Sequence, residues 1–170
     1  AGTVIGAMSD APTADAERPT EAPAATERPR ARPGRGDDET RAALLAAAHD
    51  LLAAEGPTAL SVRRIANAAG VSTMNVYSRF GGKDGVIDEL FIDGFTRMRA
   101  DLAASPLSDD PLDDLRRCGE AYRRFARENP TYYSLMFDQA VPDFVPSQHA
   151  MEHALTALGG VIERVQRAMD

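Results

Sequence analysis

Two histidines, His149 and His153, frame the segment HAMEH, which has the H-x-x-E-H spacing of one class of zinc peptidases. Imidazoles four residues apart share one face of a helix and could bind a metal together. The sequence offers no third ligand beside them, and the surrounding residues have the apolar repeat of a packed helix. We therefore predict no metal, no catalytic residue and no enzymatic activity. We interpret the two histidines as part of a solvated helix start or of a polar pocket wall. A zinc enzyme is the rival class of protein.

The only cysteine, Cys118, cannot form an internal disulfide. Its neighbours at helical spacing are apolar, which indicates a core position, with a redox sensor as the alternative. Acidic residues are interleaved with the nearby arginines at a spacing of four, which is typical of a salt-bridged, solvated helix face rather than a nucleic-acid surface. These arginines are Arg116, Arg117, Arg123, Arg124 and Arg127.

The distribution of charge separates one segment from the rest of the chain. The net charge of −7 by itself argues against binding to a polyanion. Residues 28–83, however, contain nine basic and five acidic side chains, whereas the segments before and after them are acidic. A local positive field of this kind is what contact with phosphates needs.

The apolar pattern predicts an all-α protein. Residues 1–36 are rich in proline and alanine and lack apolar periodicity, so we expect them to be disordered. From Asp37 onward apolar residues recur every three to four positions, which predicts helices. Asp37 or Asp38 would cap the first helix, and Gly56-Pro57 would end it. Three helices are expected in residues 37–82 and four in residues 83–170, one of which is the short aromatic segment TYYSLMF.

Residues 61–86 read SVRRIANAAGVSTMNVYSRFGGKDGV and predict two helices joined by a tight turn. Ser61 and Ser72 would cap the two helices. Gly70 would supply the left-handed backbone of the turn, and Val71 and Val76 would pack between the helices. A helix-turn-helix of this kind places its second helix in the major groove of DNA. A plain helical hairpin without a DNA role is the alternative.

The same residues resemble the DNA-binding domain of the TetR/AcrR family of regulators. That family has the pattern IA-x-x-AGVS, then Y-x-x-F, then two residues and a lysine. Here IANAAGVS, VYSRF and Lys83 match it in register, within a resemblance that covers residues 38–86. Residues 112–137 also resemble a C-terminal domain found in part of the family. The sequence departs from the family pattern at two places. Met74 stands where a small residue is common, and Gly81-Gly82 stands where a proline-containing turn is usual. The two glycines would loosen the connection between the two domains.

The resemblance implies a fold and a function. The fold is an N-terminal three-helix helix-turn-helix DNA-binding domain in residues 37–82, followed by a helical effector-binding and dimerisation domain in residues 83–170. The function is a ligand-responsive transcriptional regulator, most often a repressor, that binds a palindromic operator as a homodimer and is released by a small-molecule effector. Activation instead of repression, and DNA binding without a ligand, stay open.

The resemblance also implies roles for individual residues. Side chains that meet base edges would be Thr73, Asn75, Ser78 and Arg79, and those that hold phosphates would be Ser72, Tyr77 and Lys83. Ser61 is also expected to belong to this set of DNA-binding residues. An effector cavity would be lined by an aromatic set, which consists of Phe91, Phe95, Met98, Tyr122, Phe125, Tyr133, Met136 and Phe137.

Four arginines precede the first predicted helix: Arg28, Arg30, Arg32 and Arg35. They could enter the minor groove, as basic arms do beside other helix-turn-helix units. A solvated tail that only aids solubility is the alternative.

The end of the chain has an apolar seam in which spacings of four and three alternate, formed by Met151, Leu155, Leu158, Ile162, Val165 and Met169. It reaches Asp170 without a stop signal, so we expect the natural protein to continue and the seam to be partly uncovered here.

No stretch approaches the roughly 18 apolar residues of a membrane span, and no signal peptide is recognisable, so a cytoplasmic protein that does not use a membrane is expected.

Overall fold

The computed structural model describes residues 35–169, which contain seven α-helices and no strand. A short 3₁₀ helix, Pro57–Ala59, follows the first of them. The α-helices are α1 (Arg35–Glu55), α2 (Val62–Ala68), α3 (Thr73–Phe80), α4 (Lys83–Ala103), α5 (Pro111–Glu128), α6 (Pro130–Phe137) and α7 (Gln148–Met169). The predicted all-α fold is confirmed.

The start of α1 differs from the prediction. The helix begins at Arg35, so Asp37 and Asp38 lie within its first turn and do not cap it. The carboxylates still face the positive end of the helix dipole, which favours acids in the first turn. Of the predicted tail, residues 1–34 lie outside the described residues.

Helix α4 is the central element and packs against α1, α3, α5, α6 and α7. The apolar stripe along one face of this helix is buried, at Ile87, Phe91, Phe95, Met98 and Leu102. Because α1 and α3 rest directly on α4, the helix-turn-helix and the rest of the fold share one continuous core. The division of the chain at residues 82 and 83 stays a prediction.

Helix α7 contacts α4 and α5 through its small side chains. Ala150, Ala154 and Ala157 are buried, since alanine lets two helices approach closely. Of the six residues of the predicted seam, Leu158 packs against the core, and the other five are exposed: Met151, Leu155, Ile162, Val165 and Met169. The described part of the chain therefore leaves most of this seam uncovered.

Two arginines tie the last turns of α7 to the segment between α4 and α5. Arg164 is buried and donates to the carbonyl of Ser105 at 2.7 Å and to that of Leu102 at 3.4 Å. Arg167 donates to the Asp114 carboxylate at 2.8 Å. The Arg164 bonds satisfy the carbonyls of Leu102, in the last turn of α4, and of Ser105, just after it, whereas the Arg167 bond reaches a carboxylate of α5.

Arg116 and Arg117 of α5 lie in ion pairs, as expected, but one partner differs. Arg117 pairs with Asp113, whereas Glu120 lies 2.6 Å from Arg116 and not, as its spacing predicted, from Arg124. Both partners are reachable from one helix face, and the structure has Arg116 between Asp113 and Glu120. Cys118 is buried in the core. None of the described helices is long and apolar enough to cross a membrane.

Candidate nucleic-acid interface

Helices α2 and α3 form the predicted helix-turn-helix. The Ser61 hydroxyl caps α2 and accepts from the backbone N–H of Arg64 at 3.3 Å. Gly70 has a φ of +69°, the left-handed conformation predicted for it, and Val71 N donates to Ala66 O at 3.0 Å. These features form the usual glycine-terminated helix end, which turns the chain sharply into α3.

The two helices are fixed together by small and branched side chains. Ile65, Ala66 and Val76 are completely buried, and Val71 packs against them partly buried. Ala66, whose side chain is only a methyl group, is buried where the two helices pack together. One face of α3 thus packs against the core, and the opposite face is available for a partner.

The end of α3 is also set by glycine. Gly81 has a φ of +74° and donates from its N–H to Tyr77 O at 2.9 Å. Helix α4 begins two residues later and crosses so close that a Cβ on Gly85 would lie 1.8 Å from Phe80 O. The joint between α3 and α4 is therefore closely packed on one side, although its connection consists of two glycines.

The outward face of α3 is opposite Val76 and Phe80. With 100° between successive residues of a helix, Met74 and Ser78 fall at the centre of this face, and Thr73 and Tyr77 lie along one side of it. All four are exposed, and Met74 and Tyr77 have 70% and 54% of their surfaces accessible. Sequence reasoning placed Thr73, Tyr77 and Ser78 in the interface but missed Met74, which the same helical geometry would have found.

Asn75 and Arg79 lie on the other side of α3 and bond to protein groups. Arg79 Nη1 donates to Asn75 Oδ1 at 2.6 Å, and Arg79 Nη2 forms an ion pair with Asp37 in α1. Only 18% of the Arg79 side chain is exposed, and its Nε has no hydrogen-bond partner among the described residues. In this conformation the guanidinium is directed at α1 and not outward.

Ser72 occupies the cap position of α3, as predicted, but its side chain does not accept from a backbone N–H. Its hydroxyl instead accepts from Asn75 Nδ2 at 3.1 Å. The Asn75 side chain, one turn ahead, is a donor that competes with the backbone for the same oxygen. The exposed start of α3 thus keeps backbone N–H groups that a phosphate oxygen could accept from.

Lys83 is the first residue of α4 and 44% of its side chain is exposed. Its Nζ lies 3.8 Å from an Asp84 carboxylate oxygen, too long for a strong hydrogen bond. The ammonium is therefore available to an external anion. Of the four predicted arm residues, Arg28, Arg30 and Arg32 lie outside the described residues, and the backbone of Arg35 begins α1.

The predicted aromatic set does not line a single cavity. Phe95, Met98 and Phe125 are packed in the core. Phe91, Met136 and Phe137 line a cavity of about 230 Å³ against the segment before α7. Tyr122 and Tyr133 line a separate surface groove, with 3.3 Å between their hydroxyl oxygens. Burial, and then the bond with Tyr133, raises the pKa of Tyr122 to about 12.

A larger cleft of about 630 Å³ lies between α1, α4 and α6 and contains none of the predicted set. Tyr132 forms one wall, stacked on His49 with 4.7 Å between ring centroids and donating to Asp93 at 2.6 Å. Burial, followed by the bond to Asp93, raises the pKa of Tyr132 to about 12. Arg97 lies over the ring, 5.1 Å from its centroid. The cleft joins a helix of the DNA-binding unit to the rest of the fold.

The histidine pair does not form part of a metal centre in the described residues, where no group of three potential ligands comes together. His149 is exposed at the start of α7. His153 Nε2 lies 2.9 Å from the hydroxyl oxygen of Thr96 in α4. One histidine thus faces solvent and the other contacts a neighbouring helix.

Two family models match this chain. The model for bacterial regulatory proteins of the tetR family matches residues 44–90, and the model for a tetracyclin repressor-like C-terminal domain matches residues 115–170. Together they cover more than half of the chain. The protein is an all-helical regulator of the helix-turn-helix class. It belongs to the TetR family of bacterial regulatory proteins, as the sequence predicted.

Solved structures with the same fold are consistent with this family assignment. The regulatory protein SCO4313 is 28% identical, with a TM-score of 0.67 over 76% of this chain and 63% of that one. A tetR family transcription regulator from Shewanella sp. PV-4 is 23% identical, with a TM-score of 0.64 over 76% and 70% of the two chains. One from Marinobacter aquaeolei VT8 is 22% identical, with a TM-score of 0.65 over 78% and 69%.

The chain thus spans less than two thirds of the length of SCO4313. None of the curated proteins is similar enough to this chain to count as a match.

Proposed function

We propose that this chain is a ligand-responsive transcriptional regulator that binds a palindromic DNA operator through α3, represses as a dimer and is released by a small-molecule effector. The observation that carries the proposal is the outward face of α3, which the buried Val76 holds away from the core and which is exposed along its length. Membership in the TetR family supports the same function.

The groups proposed to hold phosphates surround this face. The Ser72 hydroxyl and the start of α3 lie at one end of the helix. The Tyr77 ring lies near Gly82 at the other end, and Lys83 is the next residue after this glycine. Ser61, at the start of α2, adds a hydroxyl that is partly exposed. Contacts of this kind fix the position of a protein on the duplex, whereas base contacts from Thr73 and Ser78 would supply specificity.

Asn75 and Arg79 are proposed to contribute to base contact only after a rearrangement. Arg79 must leave Asp37 before its guanidinium can reach a base edge or a phosphate. The cost is modest, since half of the Asp37 side chain is exposed and such pairs are weak in water. DNA binding would then exchange one ion pair for another.

The arm arginines are proposed to bind DNA as well, and the charge count supports this. Residues 36–83 contain five basic and five acidic side chains. Arg28, Arg30, Arg32 and Arg35 therefore supply the whole positive excess of the segment. Without them the interface would attract a polyanion only through the local arrangement of its charges.

Dimerisation is proposed to occur through the exposed seam of α7. A palindrome requires two recognition helices about 34–36 Å apart, so whatever fixes the dimer also fixes the spacing. An effector that favours another spacing would lower the affinity for DNA, and DNA would lower the affinity for the effector equally. We expect the protein to act in the cytoplasm and to have no catalytic activity.

Two places are candidates for the effector. The cavity at Phe91, Met136 and Phe137 is smaller than the roughly 300 Å³ of common ligand sites, so it would need to open. The cleft at His49 and Tyr132 is large enough and touches α1 directly. Thermal-shift screening of the wild type, Phe137→Ala and His49→Ala separates them, because a stabilising ligand loses its effect only in the variant whose site it occupies.

Selection of bound duplexes from a random DNA library tests the proposed function. We expect enrichment of a palindromic sequence by the wild type and none by a Thr73→Ala, Ser78→Ala double variant. Circular dichroism confirms that the variant is folded. A wild type that enriches no sequence, or a double variant that enriches the same one equally well, contradicts the proposal.

A further inference from the structure

We propose that Met74 is a specificity-determining residue of this protein, and that it recognises thymine through the 5-methyl group in the major groove. The inference rests on the proposed function, since it names what the outward face of α3 reads. It assigns a role to a side chain that the comparison of motifs leaves as an anomaly, a long apolar residue where a small one is common.

The position of Met74 is the first argument. The residue lies on the second position of α3, at the centre of the face opposite Val76, and 70% of its surface is exposed. No other large apolar side chain on α3 is as exposed, and the buried Val76 fixes the direction of the helix face beneath it. If α3 enters the major groove, the thioether chain must lie against base edges.

The chemistry of its neighbours is the second argument. The other side chains at the centre and one edge of the face are hydroxyls, from Thr73, Tyr77 and Ser78, and none of them carries a charge. Asparagine can read adenine, and arginine can read guanine, each through a pair of hydrogen bonds. Here, however, Asn75 and Arg79 bond to each other at 2.6 Å. The centre of the face therefore has one apolar side chain, Met74, and one uncharged hydroxyl, Ser78.

An apolar side chain at the centre of this face suits one feature of the major groove. The thymine methyl group is the only apolar group that the four common bases present there, and side chains recognise it by contact. A methionine side chain is unbranched and polarisable, so it adapts to the position of that methyl group. The favourable step is the removal of both surfaces from water.

A single exposed apolar residue is common on protein surfaces, so a test must show that Met74 and the methyl group act together. The matched control is Leu112 on α5, which has 69% of its surface exposed and lies outside the interface. Replacement of both residues by alanine, one at a time, separates the effect of position from the effect of losing an exposed apolar side chain.

The experiment uses the duplex that the wild type selects from a random library, with each thymine replaced in turn by deoxyuridine. At one or two positions of a half-site, we expect wild type and Leu112→Ala to lose affinity about fourfold, the factor for one buried methyl group. Met74→Ala should show no loss at those positions. An equal loss in Met74→Ala, or no sensitive thymine at all, overturns the inference while the proposed function stands. A wild type that selects no duplex overturns both.

Discussion

Arg79, near the end of the recognition helix α3, forms an ion pair with Asp37 in the first turn of α1, 42 residues earlier in the chain. The guanidinium also bonds to Asn75 and is mostly shielded from water. A residue expected to face DNA is thus held by the helix that follows the basic arm. Any contact of Arg79 with DNA must compete with this carboxylate.

Replacement of Asp37 by alanine should therefore strengthen DNA binding. The change releases Arg79 and removes a negative charge beside the interface, and both effects favour a polyanion. Release of Arg79 should contribute at most about fivefold to the gain, since partly exposed ion pairs are worth no more than about 1 kcal/mol. Fluorescence anisotropy with the selected duplex measures it.

Two controls separate the two effects. Asp38→Ala removes the same charge one residue away, so its gain reports the general electrostatic effect. In an Arg79→Ala background, Asp37→Ala should increase the affinity for DNA no more than Asp38→Ala does. If Asp37→Ala instead weakens binding and lowers the unfolding temperature, the pair anchors α3 to α1 and Arg79 does not act on DNA.

Replacement of Arg28, Arg30 and Arg32 by glutamine should flatten the salt dependence of DNA binding. The slope of log K against log salt should fall by as much as about 2.7, because each phosphate contact contributes about 0.9. The matched control is the triple replacement of Arg123, Arg124 and Arg127, exposed arginines on α5, which changes the net charge equally. Equal slopes for wild type and arm variant would leave the arm without a role in binding.

Stability should fall in acid through Asp114. Bonds from the backbone and the hydroxyl of Ser108, and then from Arg167, lower the pKa of this carboxyl to about 2, although its burial opposes the shift. A group whose pKa is lowered by folding stabilises the protein fully above its unfolded value, near 3.9, and loses that contribution as the pH falls through the folded value. The loss should therefore occur between about pH 4 and pH 2.

Urea unfolding at a series of pH values measures this effect. Asp114→Asn should be less stable than wild type at neutral pH, and the difference should shrink as the pH falls from 4 to 2. Asp109→Asn, at an exposed acid of the loop just before α5, should stay parallel to the wild type. A constant difference between Asp114→Asn and wild type across this range would show that the carboxylate charge is not what stabilises the loop.

The exposed seam of α7 should make the chain self-associate weakly. Leu155 and Ile162 are 62% and 54% exposed on this helix, and apolar stripes of this length tend to find a partner. Light scattering over a range of concentrations should show dimers or larger species that Leu155→Glu and Ile162→Glu reduce and Leu112→Glu does not. A stable dimer at sub-micromolar concentration would show that the seam alone suffices, and a monomer at every concentration would contradict its role.

The helices and the helix-turn-helix were predictable because local signals determine them. Gly70 and Gly81 adopt the left-handed conformations that end α2 and α3, and Ser61 caps α2, all of which depend on residues within one turn. The apolar stripe of α4 was predictable for the same reason, since its period matches a helix with one buried face.

The features that the sequence did not reveal depend on contacts between distant residues. Nothing in the neighbourhood of Arg79 indicates that Asp37 will pair with it. The division of the aromatic set, with Phe125 in the core and Tyr122 at the surface, follows from how α5 and α6 pack and not from their composition. The exposure of Met74, by contrast, follows from helical geometry and was predictable from the sequence.

The central claim is that α3 reads a DNA sequence, and one titration tests it most directly. Wild-type protein is titrated with the selected duplex and with a duplex of the same base pairs in shuffled order, at about 150 mM salt, where exposed charges are screened beyond about 8 Å. The account predicts that the selected duplex binds about a thousandfold more tightly or better, as specific sites do. Equal affinity for the two duplexes would contradict it.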